Sequence, residues 1–169
     1  MSIDRLDARL LELFAREPRI GVLQASRRLG VARGTVAARL DKLEQVGVVV
    51  GWGPQVDPAA LGYAVTAFVT LEISQGRGHD PVGRHLAAIP EVVEAHTVTG
   101  PGDIWCRVVA TSNADLQRVI DALVAHPGVE RSTSVISLAT EVAWRTLPLV
   151  DAAAPGDPPP AQPASPPST

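Results

Sequence analysis

The apolar residues of this chain change their period once, near residue 51, and that change dictates two folding units of different kinds. Before it, Ile3, Leu6, Leu10 and Phe14 recur at helical spacing, with Leu13 beside them. After it, Ala67, Val69, Leu71 and Ile73 alternate with Phe68, Thr70 and Glu72, the two-residue period of a half-buried strand. The turn-rich Gly51-Trp52-Gly53-Pro54 lies at the junction, and Val48 to Val50 is expected to form a short strand leading into it.

The first unit reads as three helices. The first must stop before Pro18, because the residue before proline is pushed out of the α region. A short second helix spans about 22–29, with Leu23, Ser26 and Leu29 on one face, and Gly30 supplies the turn. The third starts near Arg33 and buries Val36, Leu40 and Leu43, with Val46 after them and Gly47 as its stop. Its outer face carries Arg33, Gly34, Thr35, Ala38, Arg39 and Lys42. Ala32 stands where a capping Ser, Thr or Asp is usual, so the free amides of this helix start could receive a phosphate.

A short helix, a glycine turn and a helix with a basic outer face form a helix-turn-helix pattern. Such a second helix fits the DNA major groove. Its small residues allow close approach, and its cations neutralise phosphates. The competing reading is a plain three-helix core with a solvated basic face.

Charge supports the first reading only when divided by position. The whole chain of 169 residues carries a net charge of −3. Residues 1–50 hold nine Arg or Lys against six Asp or Glu, whereas the remainder holds six against twelve. From Arg27 to Lys42 lie five cations and one carboxylate. Fourteen of the fifteen cations are Arg, which GC-rich coding also produces, so the Arg excess carries no functional weight.

The second unit reads β-α-β-β-α-β. A strand over 63–74 is closed by Gly76 and Gly78, and Asp80-Pro81 caps and opens a helix through Val82, His85, Leu86 and Ile89. Strands at 92–99 and 104–111 flank Gly100-Pro101-Gly102-Asp103. Ser112 and Asp115 offer a capping box for a helix through Leu116, Val119, Ile120, Leu123 and Val124. The last strand region runs from Val129 to about Trp144. This is the ferredoxin-like order, with two helices on one face of a four-stranded antiparallel sheet. The other face needs a cover. No further element is expected in so short a chain, so a second copy is the simplest cover and a dimer is expected. Two half-sites one DNA turn apart require two copies as well.

The last nineteen residues hold seven of the fifteen prolines and read as a disordered Pro/Ala-rich extension. The expected organisation is a helix-turn-helix domain over 1–50, a linker over 51–62, a ferredoxin-like domain over 63–148 and a tail over 149–169. One cysteine, Cys106, excludes a disulfide framework and reads as a small buried hydrophobe. No apolar run approaches the roughly 18 residues of a membrane span. The N-terminus lacks the plan of a signal peptide, so a cytoplasmic, nucleoid-associated protein is expected.

The segments LDARLLELFAREPRIGVLQASRRLGVARGTVAARLDKLEQVGVV, GWGPQVDPAALGY, VEAHTVTGPGDIWCRVVA and HPGVERSTSVI, in that order, carry a resemblance over residues 3 to about 147. The chain resembles the Lrp/AsnC (feast/famine) transcription regulators. The resemblance implies an α+β protein: a winged-helix-like helix-turn-helix domain followed by a RAM/ACT-like ferredoxin fold that binds effector and oligomerises. It implies a dimer that assembles further, to an octamer or related ring, on promoter DNA. Carried over by motif, Arg33, Gly34, Thr35, Arg39 and Lys42 lie on the recognition helix, with Gln24, Ser26, Arg27 and Arg28 on the helix before it. The implied effector is an amino acid, and no other cofactor is implied. Its site is the loop Thr99, Gly100, Pro101, Gly102 and Asp103 with the hydroxyls of Ser132 and Ser134. Glycine-rich backbone suits a carboxylate, and Asp103 suits an ammonium. Pro101 departs from the family's usual Gly-Asp-x-Asp, removing a charge and a donor. Asp103 has a plainer reading as a turn residue.

The four histidines show no metal spacing on one helix. Trp52 and Trp105 read as core or interface residues before pocket residues, and Glu141 is undecided. Two other functions remain open. One is an enzyme like the sirohaem decarboxylases, which resemble the same family and would use His96 and His126. The other is a DNA-architectural protein without an effector.

Overall fold

The computed structural model describes residues 3–74 and 79–154. Two units emerge, Met1–Pro54 together with Ala143–Thr169, and Gln55–Val142. The expected closing glycines Gly76 and Gly78, and the tail from residue 155 onward, lie outside the described residues.

The first unit contains helices α1 (Arg5–Arg16), α2 (Val22–Leu29) and α3 (Arg33–Gln45). A reciprocal capping box starts α1: the Asp4 carboxylate accepts from the Asp7 amide at 2.9 Å, and Asp7 accepts from the Asp4 amide at 3.0 Å. The helix stops at Arg16, two residues short of Pro18. Gly30 closes α2 at φ +69°, a left-handed cap that favours glycine. No side chain caps α3 at Ala32, as its sequence anticipates. Leu10, Phe14, Ile20, Ala25, Val36 and Leu40 form the core between the three helices.

Val48 to Val50 is not a strand. The amides of Val48 and Val49 both donate to the Leu43 carbonyl, at 2.9 and 3.1 Å, so they close the end of α3. A second correction concerns the tail. Residues 149–153, the start of the stretch expected to be disordered, instead belong to a helix, Leu147–Ala153, labelled α6. Val150 of this helix and Ala154 just after it join Ile3, Ala8 and Leu43 in a separate apolar cluster. Burial against α1 outweighs the low complexity of this stretch.

The second unit runs β1 (Val65–Ile73), α4 (His79–Ala87), β2 (Val92–Thr97), β3 (Ile104–Ala110), α5 (Asn113–Val124) and β4 (Val129–Ile136), after a 3-10 turn at Ala59–Leu61. The strands form one antiparallel sheet in the order β2-β3-β1-β4. This is the ferredoxin-like arrangement. The alternation seen in the sequence holds: Ala67, Val69, Leu71 and Ile73 are buried, against Val82 and Leu86 of α4 and Leu116, Val119 and Leu123 of α5. Cys106 lies in the same core, and burial pushes its thiol up to about 11. Ser112 caps α5 by accepting from the Asp115 amide at 3.1 Å. Asp115 reaches back one residue further than expected, to the Thr111 amide and hydroxyl. The last strand ends at Ile136, not near Trp144. Its partner β1 begins at Val65, and the last backbone bond between the two is the Ser137 amide donating to the Thr66 carbonyl at 2.9 Å.

The sheet face away from the helices carries Phe68 and Trp105, stacked at 5.1 Å and 17°. Val135 stands 59% exposed on the same face, in register with Phe68. Arg107 shares it, bonded to Glu94 at 3.2 Å, and its Nε is buried without a partner among the described residues. No described helix is long and apolar enough to cross a membrane.

Candidate nucleic-acid interface and effector loop

The expected DNA-contacting residues divide into two groups. Gln24, Arg27 and Arg28 on α2 and Arg33, Gly34, Thr35 and Lys42 on α3 are exposed. Ala38 is exposed beside them, so α3 presents small residues flanked by cations. Arg28 pairs with Glu17, whereas Arg27, Arg33 and Lys42 make no ion pair among the described residues. Arg33 and the uncapped amides at the start of α3 form a ready anion-binding end, and Arg27 on α2 and Lys42 in the last turn of α3 add cations to the exposed face.

Ser26 and Arg39 do not belong to that face. Ser26 is buried, and its hydroxyl donates to the Leu23 carbonyl at 2.9 Å. The sequence signal was present, since Ser26 lies on the apolar side of α2. Arg39 turns toward α1, and its Nη1 donates to Asp4 at 2.5 Å and to Asp7 at 2.7 Å. The Arg39 hydrogen bond holds the Asp4 carboxyl below its ordinary range, and the two carboxylates, Asp4 first, raise the guanidinium. Asp7 escaped the sequence reading. Its signals were the Asp4-x-x-Asp7 spacing and its place between Leu6 and Leu10 on the buried stripe of α1.

In the second unit the loop from Thr99 to Asp103 folds back on β1. The Asp103 amide donates to the Leu71 carbonyl at 2.8 Å, its carboxylate accepts from the Ile73 amide at 2.7 Å, and its carbonyl accepts from Val98 at 3.0 Å. Asp103 therefore fastens its own loop, the plainer of its two readings, with the other carboxylate oxygen left for a further donor. Gly102, at φ +133°, crosses so close to β1 that a Cβ would lie 2.3 Å from Thr70 Cγ2. Thr99, Gly100 and Pro101 are exposed at the tip.

Ser132 and Ser134 sit on β4 in register with Leu71 and Val69, half-buried and exposed respectively. Leu71 thus has Asp103 on its β3 side and Ser132 on its β4 side. Ser132 lies two strand spacings from Ile104, about 10 Å. Loop and hydroxyls share one end of the sheet without touching. Glu141, exposed beyond β4, joins neither group.

The histidines of the enzyme reading are kept apart. His96 lies on β2 and pairs with Glu94 at 2.7 Å. His126 precedes β4 at the opposite side of the sheet, where its Nδ1 accepts from the Gly128 amide at 3.0 Å. Among the described residues no group of three or more His, Cys, Asp or Glu could hold a metal ion.

Comparison with known proteins agrees with both units. A model of the AsnC-type helix-turn-helix domain matches residues 3–44, and one of the Lrp/AsnC ligand binding domain matches residues 66–146. An HTH-type transcriptional regulator of Pyrococcus furiosus is 30% identical over 82% of this chain and 93% of its own. Among solved structures, Escherichia coli AsnC is similar with a TM-score of 0.80 and 26% identity, covering 88% of this chain and 100% of that one. A feast or famine regulatory protein from M. tuberculosis, complexed with L-methionine, is similar with a TM-score of 0.75 and 26% identity, covering 85% and 97%. With both domains matched in the same order, and with the fold that those structures share, the chain belongs to the Lrp/AsnC family of HTH-type transcriptional regulators.

Proposed function

We propose that this regulator reads promoter DNA with α2 and α3 and answers to a small effector, an amino acid, in its second unit. The observation that carries the reading is the set of Arg27 on α2, Arg33 at the uncapped start of α3 and Lys42 in its last turn, exposed and without an ion pair among the described residues. Lys42 and Arg33 supply phosphate affinity, while Gly34, Thr35 and Ala38 permit close approach to base edges. Gln24, Arg27 and Arg28 anchor the preceding helix on the backbone.

The protein works as a dimer, and as an octamer or related ring built from such dimers, in the cytoplasm on the nucleoid. The open sheet face supports a second copy. Phe68, Trp105 and Val135 would be buried there, and Arg107 Nε would gain an acceptor. For the effector, the M. tuberculosis relative with bound L-methionine supports an amino acid. Gly100 and Gly102 amides would take its carboxylate, Asp103 its ammonium, and Thr99, Ser132 and Ser134 its remaining polar atoms.

Pro101 favours a second reading, because it takes a donor and a charge from the loop. In that reading the protein organises DNA without an effector. Titration calorimetry of the full chain against each of the twenty amino acids separates the two. Binding that Asp103→Asn weakens at least about tenfold supports the effector site, since one charge-assisted hydrogen bond is of that order. Twenty null titrations would leave the architectural reading.

A further inference from the structure

Helix α6 lies beyond both matched domains, the second of which ends at residue 146. It nevertheless packs on α1. Leu147 and Val150 are half-buried and Ala154 is buried, a stripe at helical spacing, while Leu149 on the other side is 66% exposed. The receiving surface is Ile3, Ala8 and Leu11 beside Leu43 of α3, with Val49 at its edge. Leu43 is fully buried and belongs to this second cluster rather than to the main three-helix core, and Ala8 is 2% exposed. A seven-residue helix with no side-chain cap does not hold its own shape in water. Docking must supply that stability, and the docking surface must gain cover in return.

We infer that α6 is a clasp of the DNA-reading unit: the flank of α1 and α3 is a docking surface for residues 147–154 of the same chain, and DNA affinity depends on its being filled. Ile3 and Ala8, which α6 backs, bracket Asp4 and Asp7. Those two carboxylates hold Arg39, and Arg39 holds α3. Loss of α6 would expose Leu43 and loosen the first turn of α1, so the recognition helix would lose its fixed orientation without losing any DNA-facing side chain. The clasp also follows directly from β4 through residues 137–146, the strand that bears Ser132 and Ser134. The reading unit is thus joined to the second unit by two chain connections. Val150 and Ala154 act as positioning residues, since both face α1 and α3 rather than the basic face.

The inference rests on the DNA-reading role proposed for α2 and α3, and its test separates the two. Four full-length or shortened chains are compared: the intact protein, a chain ending at Ala154, a chain ending at Thr146, and the intact chain with Val150→Asp. Each is titrated onto a duplex of the region upstream of its own gene at several salt concentrations, and amide exchange is followed over residues 5–11. The chain ending at Ala154 should match the intact protein. The other two should bind at least about tenfold more weakly, as expected if only about a tenth of the molecules keep a competent reader. Their salt dependence should be unchanged, because every phosphate-binding cation remains, and their α1 amides should exchange faster. A peptide of residues 143–154 should restore binding to the chain ending at Thr146. Unaltered affinity and exchange in both variants would overturn the clasp, as would weaker binding with α1 exchange unchanged, which would separate the loss of affinity from the docking of α6. If the intact protein binds no DNA, the reading role of α2 and α3 fails, and exchange alone then decides whether α6 is docked.

Discussion

Arg39 of α3 reaches Asp7 of α1 at 2.7 Å, and Asp7 is only 2% exposed. A basic residue of α3 is thereby engaged in ion pairs within the protein. The pair ties the reading helix to the capping box that starts α1, so one contact fixes both the start of one helix and the direction of another. Asp7→Asn should destabilise the first unit by about 2 kcal/mol, because it leaves a partly buried guanidinium with a weaker partner. Urea unfolding of the full chain measures this.

The same geometry separates Arg39 from its neighbours on DNA. Arg27→Ala, Arg33→Ala and Lys42→Ala should each weaken binding and lower the slope of log affinity against log salt by about 0.9 for each phosphate left without its cation. Arg39→Met should weaken binding with the slope unchanged. A slope that falls with Arg39→Met, or an affinity that rises with Asp7→Asn, would mean that Arg39 leaves Asp7 for a phosphate.

Much of this was legible in the sequence, and the exceptions have physical causes. Local period and turn residues report single elements, so the three helices, the β-α-β-β-α-β order and the buried set Ala67, Val69, Leu71 and Ile73 could be read directly. Pairing across long stretches of chain cannot be read that way. The direction of the Arg39 side chain depends on Asp4 and Asp7, more than thirty residues earlier. The end of β4 depends on where β1 begins, and α6 exists because Ile3, Ala8 and Leu43 receive it. Ser26 was a different case. Its place on the apolar face of α2 argued for burial, and its motif position argued for DNA.

Gly102 tests whether the loop over 99–103 is a folding element. Gly102→Ala places a methyl 2.3 Å from Thr70 Cγ2 at a φ that favours glycine. It should cost the second unit about 2 kcal/mol or more, through strain and overpacking together. Thr70→Ser removes the clashing methyl and should recover part of that loss. Gly100→Ala has open space at its Cβ and only its φ of +119° to contend with, so it should cost less. Thermal unfolding of these variants beside the parent protein ranks the effects.

Acid should act on α5 in a predictable direction. Arg118 beside Asp115, helped by the Thr111 amide, pulls the Asp115 carboxyl from 3.8 down to about 2. Its folded value lies below its unfolded one, so the stabilisation is present above about pH 4 and is lost as pH falls toward 2. The partner Arg118 is raised, which removes nothing until pH exceeds the range in which proteins stay folded. Asp4, lowered by Arg39, has the same sign in the first unit. Asp115→Asn should therefore flatten the fall in stability between about pH 4 and pH 2, measured by denaturation at fixed pH.

If α2 and α3 read DNA with a small set of unpaired cations, fluorescence anisotropy on the duplex upstream of the protein's own gene shows it most directly. Three cations per chain in the proposed dimer would make about six phosphate contacts, so affinity should fall about 10³-fold between roughly 50 and 200 mM salt. The upstream duplex should also outcompete a scrambled duplex of the same length at every salt concentration. A folded protein that prefers neither duplex, or whose binding is indifferent to salt, would contradict DNA reading by these helices.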